Sequence, residues 1–260
     1  MLKPRMLTAV AGLPILVALI YLGGWVLAAG MAALAAIGVY ELEGMFRARG
    51  VAFFPRLAVL WTWSLLLGRL LGWRLGWMVA VGIALAAVWT LWVAEGAGFQ
   101  GAVTTTWGAL YLGWFFSFML AIRELPHGRA LLFGFFLVVF STDTLAFFGG
   151  RALGRARLLP RVSPGKTWVG AAIGTAAGVL AGGVALGWLH QPWWAGFGMG
   201  LAVSVLGQLG DLVESNLKRY CGVKDSGGLL PGHGGILDRF DSALFALPFA
   251  YYLLRGLGIG

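Results

Sequence analysis

Residues 168–189 read WVGAAIGTAAGVLAGGVALGWL, a stretch without a single charged side chain. About 20 mostly apolar residues are long enough to cross the hydrocarbon core of a bilayer as an α-helix. The stretch therefore predicts a membrane-spanning helix. Its glycines at 170, 174 and 178 recur every four residues, a spacing that lets neighbouring helices approach closely. We interpret these glycines as packing positions.

Similar apolar stretches fill most of the chain. Hydrophobic residues make up 60% of the 260 residues and charged residues 11%, and the mean hydropathy is +0.85. A soluble domain of this size could not cover that much apolar surface. The predicted fold class is all-α, a polytopic integral membrane protein with about nine transmembrane helices. The predicted ranges are 6–22, 25–45, 54–71, 75–94, 103–122, 130–149, 168–189, 194–216 and 242–257.

The basic residues predict the orientation of these helices. Lys and Arg number 19 against 10 acidic residues. With nine spans, most of the basic residues share the side of the N-terminus; the exceptions are Arg69, Arg74, Arg123, Arg129 and Arg255. Basic loops stay on the cytoplasmic side, so we expect a multi-pass protein of the inner (plasma) membrane with its active site facing the cytoplasm. This bias explains most of the positive charge, and no nucleic-acid partner is expected.

The first span is interpreted as a retained helix, because no hydrophilic domain follows it as one would follow a signal peptide.

The polar residues divide the chain into two regions. Residues 1–125 hold few polar groups within the spans and are predicted to be N-terminal transmembrane scaffold helices. Residues 126–260 are predicted to be a C-terminal catalytic transmembrane region with cytoplasmic loops 150–167 and 217–240. The single cysteine, Cys221, excludes an intrachain disulfide and a multi-cysteine metal site.

One predicted helix carries a polar stripe. The side chains recur at steps of four and three, which places them on one helical face: Ser204, Gln208, Asp211, Ser215 and Lys218. Such a stripe is unstable against lipid, so we expect it to face the protein interior. A seam of hydrogen bonds between helices explains Ser204 and Gln208. It does not explain Asp211, because a buried carboxylate needs a cation.

A glycine-rich stretch follows this helix. Residues 224–235 read KDSGGLLPGHGG, which predicts a loop whose backbone N–H groups can approach an anion. Asp238 and Asp241 come next and share a helical face. The helix dipole explains one acidic residue in a first turn, but two acids with Asp211 indicate a divalent-metal site. Oxygen ligands favour Mg²⁺, and we predict Asp211 and Asp238 as its ligands.

Basic residues near these acids indicate a polyphosphate ligand. They are Lys218, Arg219, Lys224 and Arg239. A second basic loop contains Ser163, Lys166 and Thr167 in the run SPGKT. Its last three residues, Gly165-Lys166-Thr167, resemble half of a P-loop, but Pro160 stands where the first glycine is required, which excludes a P-loop ATPase. We predict that Lys166 binds phosphate.

The C-terminal half resembles the phosphatidate cytidylyltransferase (CDP-diacylglycerol synthase) family. Residues 215–241 match its signature, and residues 163–168 resemble a second element, in which Val169 replaces a common acidic residue. Asp143 and the following Phe-Gly-Gly-Arg also fit. The N-terminal half is similar only as a run of spans. The resemblance implies that CTP and phosphatidate react with Mg²⁺, one cation or two, to give CDP-diacylglycerol and pyrophosphate, and that the protein is a homodimer in the lipid bilayer.

The motif and its residues together assign roles. We expect catalytic roles for Asp211, Asp238, Lys218, Lys224, Asp225, Arg239 and Asp241. We expect substrate contacts from Asp143, Ser163, Lys166, Thr167, Ser215, Arg219, His233, Gly234 and Gly235. Asp225 is either a further metal ligand or a residue that orients Lys224. His233 binds pyrophosphate, relays a proton, or is a turn residue held by its glycines. No serine or cysteine nucleophile is needed, because the lipid phosphate is itself nucleophilic.

Three other classes fit less well. A CDP-alcohol phosphotransferase needs a D-G-x-x-A-R run, which the chain lacks. A transporter usually binds its ion near the bilayer midplane, whereas these acids lie at the predicted cytoplasmic ends of helices. A lipid-binding scaffold without catalysis has no use for metal-type carboxylates.

Overall fold

Helix follows helix through the computed structural model, which describes residues 2–93, 97–228 and 234–259. The ten helices are α1 (Leu2–Leu22), α2 (Gly24–Arg49), α3 (Pro55–Leu70), α4 (Leu75–Trp89), α5 (Ala97–Ala109), α6 (Phe115–Glu124), α7 (Gly128–Leu153), α8 (Trp168–Gly187), α9 (Trp193–Tyr220) and α10 (Leu237–Gly256). A 3₁₀ turn, Thr90–Trp92, extends α4, and a π-helical turn, Leu110–Trp114, joins α5 to α6.

The chain is a predominantly helical, multi-pass membrane protein of the all-α class. Within the described residues, six helical segments are long and apolar enough to cross a membrane: Gly24–Arg49, Leu75–Trp92, Gly98–Glu124, Gly128–Leu153, Trp168–Gly187 and Trp193–Tyr220. All six coincide with ranges that the sequence predicts to span.

Three further predicted spans are helical but are not both long enough and apolar enough to count among these six. The apolar part of α1 is the shorter stretch Gly12–Leu22, and α3 has only 16 residues. Helix α10 has 20 residues but carries Asp238, Arg239 and Asp241 near its start. Its charges therefore set it apart from the six apolar segments.

A short β-hairpin lies in the loop that the sequence leaves without regular structure. Strands β1 (Arg157–Leu159) and β2 (Ser163–Thr167) pair antiparallel, with Arg157 opposite Thr167. The Thr167 hydroxyl then accepts a hydrogen bond of 3.0 Å from Gly170 N. Thr167 is therefore the N-cap of α8, and the hairpin leads directly into that helix.

The described chain divides into two compact units. The first contains Met1–Leu120 and Lys218–Arg239. Its core is apolar, and Leu42, Leu65 and Phe116 are fully buried in it. Helices α3, α4 and α5 also line a half-open apolar pocket of about 780 Å³, whose walls include Trp61 and Trp77. None of the predicted site residues lines this pocket.

The second unit contains Ala121–Leu217 and Phe240–Gly260. Its main feature is the close packing of α7 against α8. A Cβ atom on Gly170 would lie 2.7 Å from the carbonyl oxygen of Ala146, and one on Gly174 would lie 2.7 Å from the carbonyl oxygen of Thr142. The interpretation of these glycines as packing positions is confirmed, because any larger residue would force the two helices apart.

Candidate active site

Five polar residues of the second unit form what we call the acidic cluster: Asp143 on α7, Lys166 on β2, Asp211 and Ser215 on α9, and Asp241 on α10. Lys166 Nζ lies 2.6 Å from Asp211 Oδ2, and about a quarter of each side chain is exposed. The Ser215 hydroxyl donates to Asp211 Oδ1 at 3.2 Å. Both oxygens of Asp211 are therefore engaged by groups of the chain, and its cation is Lys166.

The acidic cluster brings together more acidic groups than basic ones. Asp143 interacts electrostatically with Asp211 and Lys166. Asp241 faces Asp211, Asp143 and Glu214, and its Oδ1 accepts a hydrogen bond of 2.6 Å from the Ser242 amide. Since like charges at short range repel one another, three aspartates with one lysine favour the binding of a further cation.

Small residues on α9 allow α10 to come close to the acidic cluster. A Cβ atom on Gly210 would lie 2.6 Å from the carbonyl oxygen of Asp241, and one on Gly207 would lie 3.4 Å from that of Ser242. The acids of the two helices are neighbours because Gly210, which directly precedes Asp211, has no side chain.

The polar stripe on α9 faces the protein interior, as predicted. Ser204 is buried and its hydroxyl lies 2.8 Å from that of Thr142 on α7. Gln208 Nε2 donates to the Thr175 hydroxyl on α8 at 3.0 Å. The N-terminal part of the stripe, Ser204 and Gln208, is thus a hydrogen-bonded seam between helices. The ion pair of Asp211 with Lys166 comes next along the same face of α9.

A second group of residues lies in the first unit, and we call it the loop cluster: Glu41, Lys218, Ser226, Gly235 and Asp238. Lys218 forms an ion pair with Asp238 Oδ1, and each side chain is 10% exposed. Asp238 Oδ2 accepts hydrogen bonds from Ser226 N at 2.9 Å, the Ser226 hydroxyl at 2.8 Å and Gly235 N at 2.8 Å. The loop therefore wraps around the carboxylate of Asp238.

These contacts determine the ionisation of Asp238, which lies in the first turn of α10, before the predicted span 242–257. Burial raises the pKa of this carboxyl group. The hydrogen bonds from Lys218, Gly235 and Ser226 outweigh that effect, so the pKa lies below its ordinary value. Asp238 is consequently a carboxylate at neutral pH.

Glu41 is a member of the loop cluster that is not among the site residues predicted from the sequence. Its side chain is buried. It accepts hydrogen bonds from Ile236 N at 2.7 Å, Leu237 N at 2.9 Å and the Ser226 hydroxyl at 3.1 Å. A signal was present: Glu41 lies inside the predicted span 25–45, where an acidic residue is costly and usually functional.

The other predicted site residues have less enclosed surroundings. Lys224, Asp225, Arg219 and Arg239 are exposed, and the Arg219 guanidinium donates to the carbonyl oxygen of Val223 at 3.2 Å. Ser163 begins β2, and Gly234 has a φ of +78°, which suits glycine, beside Asp238 Oδ2. His233 lies outside the described residues.

Mg²⁺ fits the donor chemistry of the acidic cluster. In the described part of the chain, no group of three or more His, Cys, Asp or Glu side chains is arranged to hold a metal ion. Mg²⁺ needs only one or two protein carboxylates and fills the rest of its shell with water and phosphate oxygens. The cluster therefore suits a cation that binds together with a phosphate-bearing ligand.

Comparison with known proteins extends over nearly the whole chain. The sequence model of the cytidylyltransferase family matches residues 3–257. The chain is 36% identical over 262 residues to a phosphatidate cytidylyltransferase of Bacillus subtilis, covering 97% of each chain. It is 36% identical over 257 residues to that of Brucella abortus, covering 96% of this chain and 92% of the relative. It is 31% identical over 281 residues to that of Synechocystis, covering 96% and 95%.

Proposed function

Since this chain belongs to the cytidylyltransferase family, we propose that it transfers the cytidylyl group of CTP to phosphatidate. The products are CDP-diacylglycerol and pyrophosphate. The observation that carries the proposal is the near-complete coverage of relatives named phosphatidate cytidylyltransferase. The acidic cluster supports it, because an excess of acidic groups beside a lysine, partly open to solvent, suits a metal–nucleotide ligand.

The reaction exchanges one phosphoanhydride bond for another. An oxygen of the phosphatidate phosphate bonds to the α-phosphorus of CTP, the bond from that phosphorus to the bridging oxygen of the β-phosphate breaks, and pyrophosphate leaves with the electron pair. The lipid phosphate is ionised at neutral pH, so no side chain has to act as a nucleophile. The protein has to hold two anions together and to balance the charge that develops on the leaving group.

Asp211 and Asp238 are the proposed Mg²⁺ ligands, supported by Ser215 and Asp241. The motif match supports these assignments, and a second cation is part of the proposal. When bound, Mg²⁺ would neutralise charge on the phosphoryl oxygens. The carboxylate of Asp211 forms an ion pair with Lys166, and that of Asp238 with Lys218. Both lysines would be free to turn to phosphate oxygens when substrate binds.

Basic residues are the proposed phosphate contacts. Lys166 and Lys218 belong to the acidic cluster and the loop cluster, respectively, and each forms an ion pair with an aspartate. The more exposed members would meet the pyrophosphate portion or the lipid phosphate from solvent: Arg219, Lys224 and Arg239. Asp143, Ser163, Thr167, Asp225, His233, Gly234 and Gly235 complete the proposed set.

The setting of the enzyme is part of the same proposal. The chain would cross the inner membrane about nine times, with loops 150–167 and 217–240 on the cytoplasmic side, where CTP is found. Residues 1–125 would serve as a scaffold for the catalytic region 126–260, and the enzyme would work as a homodimer. The basic residues of the two loops support this orientation.

Incorporation of label from CTP into lipid tests the proposed function. Purified protein is incubated with α-³²P-labelled CTP, phosphatidate and Mg²⁺, and the chloroform-extractable label is counted. We expect label in lipid only when phosphatidate and Mg²⁺ are both present, and little label from ATP. Equal use of ATP, or lipid labelling without phosphatidate, would reject the assignment.

A further inference from the structure

Glu41 connects helix α2 to the loop cluster through its carboxylate. One oxygen, Oε1, accepts from Ile236 N at 2.7 Å. The other, Oε2, accepts from Leu237 N at 2.9 Å and from the Ser226 hydroxyl at 3.1 Å. Helix α10 begins at Leu237, so Glu41 occupies the place of an N-cap residue although it comes from a distant part of the chain.

This arrangement satisfies a buried charge without a basic partner among the contacts described. Glu41 is 8% exposed. The free N–H groups and the positive end of the helix dipole at the start of α10 stabilise its negative charge. The same two amides would otherwise be unsatisfied. The contact therefore fixes the first turn of α10, which carries Asp238 and Arg239.

The glycines of the loop leave room for this carboxylate. A Cβ atom on Gly235 would collide with Glu41 Oε2 and with the Ser226 hydroxyl, and one on Gly227 would lie 2.9 Å from Glu41 Cγ. The Ser226 hydroxyl in turn lies 2.8 Å from Asp238 Oδ2, and Asp238 holds Lys218. A continuous set of contacts thus joins Glu41 to two of the proposed catalytic side chains.

We propose that Glu41 is a positioning residue, which holds the glycine-rich loop and the first turn of α10 in the conformation that the reaction requires. It does not touch substrate; it acts through Ser226 and through the amides of Ile236 and Leu237. The role in catalysis rests on the proposed function, whereas the role in holding the loop does not.

Two measurements on the purified full-length protein test the inference, with Glu41→Gln as the variant. Hydrogen exchange reports the amides of Ile236 and Leu237 directly, and we expect it to accelerate about tenfold because a charged acceptor is lost. In the lipid-labelling assay, we expect kcat to fall about tenfold while KM for CTP stays within about twofold, since misplaced catalytic groups slow the chemical step more than binding.

Glu43→Gln is the matched control. Glu43 lies on the same helix two residues away and pairs with Arg47, whose side chain is 77% exposed. We expect exchange and kcat of this variant to equal those of the wild type. If Glu41→Gln yields no folded protein, Glu41→Asp replaces it, because the shorter carboxylate keeps the charge but cannot reach both amides.

The outcomes separate the two proposals. Faster exchange confined to the loop and the start of α10, together with the kcat loss, supports the positioning role. Unchanged exchange in Glu41→Gln overturns it, and so does acceleration throughout the protein or failure of both variants to fold, since Glu41 would then hold the fold rather than the loop. If the wild type makes no CDP-diacylglycerol, the proposed function fails, and the exchange comparison alone still decides whether Glu41 holds the loop.

Discussion

Lys166 Nζ lies 2.6 Å from Asp211 Oδ2, and this ion pair ties the β-hairpin to helix α9. Both side chains are partly exposed, so the pair can open without exposing a buried charge to an apolar core. A lysine that is held by an aspartate but can be released is suited to receive an incoming phosphate. The hairpin gives Lys166 a fixed starting point, because β2 leads directly into the capped N-terminus of α8.

Replacing Lys166 with Met tests whether the lysine acts on the substrate. The side chain keeps a similar length but loses its charge, which leaves Asp211 facing Asp143 and Asp241 without the lysine that pairs with it. We expect kcat/KM to fall by about 10²–10³-fold, the range for loss of a group that stabilises developing charge. The measurement is lipid labelling from CTP under steady-state conditions.

Arg161→Gln is the control for this experiment. Arg161 is an exposed basic residue in the turn between the two strands of the same hairpin. Its removal changes the net charge of the loop equally, so activity should stay within about twofold of the wild type. Equal losses in the two variants would mean that the overall positive charge of the loop matters, and not the position of Lys166.

Replacing Asp211 with Asn tests the proposed metal ligand. Asparagine keeps the shape of the side chain and the hydrogen bond with Ser215, but it binds Mg²⁺ far more weakly. We expect the Mg²⁺ concentration for half-maximal activity to rise at least about tenfold. A Mg²⁺ titration of the labelling assay measures it, with circular dichroism to show that the helices persist. An unchanged Mg²⁺ requirement would remove Asp211 from the proposed ligands.

Much of the helical architecture could be predicted because membrane helices carry a simple signal. Apolar stretches such as 168–189 have no other stable form in lipid, since every backbone N–H and C=O group must be paired within the segment. The polar stripe on α9 could be predicted equally well, because Ser204, Gln208 and Asp211 share one face of a helix. Local periodicity was sufficient in both cases.

Contacts between distant parts of the chain could not be predicted in the same way. Nothing in the residues around Glu41 indicates that its carboxylate caps a helix that begins at Leu237. The hairpin of residues 157–167 was missed because its strands are short and carry charged or turn-forming residues rather than alternating apolar ones. Thr167 illustrates a mixed result: it was predicted to contact substrate, and the structure shows that its hydroxyl caps α8.

The glycines of the loop differ sharply in the space around them, which gives a matched pair of variants. A Cβ atom on Gly235 would collide with the Ser226 hydroxyl and Glu41 Oε2, whereas one on Gly228 would meet nothing within 4 Å. We expect Gly235→Ala to destabilise the protein by about 1–3 kcal/mol through overpacking and to lower activity. Thermal unfolding in detergent and the labelling assay measure the two effects.

Gly228→Ala should leave the unfolding temperature unchanged, because an exposed position away from such contacts tolerates substitution within about 0.5 kcal/mol. The labelling activity of Gly228→Ala then measures how an added side chain in this loop affects substrate entry when stability is unchanged. Equal stability of the Gly235 and Gly228 variants would contradict the close approach of Gly235 to the two side-chain oxygens.

The hydrogen bonds to Asp238 predict how stability depends on pH. Because they hold the native pKa of Asp238 below its ordinary value, the carboxylate contributes stability that is fully present above the unfolded-state pKa of about 4 and is lost as the pH falls through the lower native value. The wild type should therefore unfold at a higher temperature than Asp238→Asn at pH 7. The difference should shrink as the pH is lowered from about 5 towards 3.

Asp225→Asn, at an exposed position of the same loop, is the control and should show little difference from the wild type at any pH. A gap between wild type and Asp238→Asn that stays constant down to pH 3 would mean that the ion pair with Lys218 and the loop amides do not stabilise the charged form.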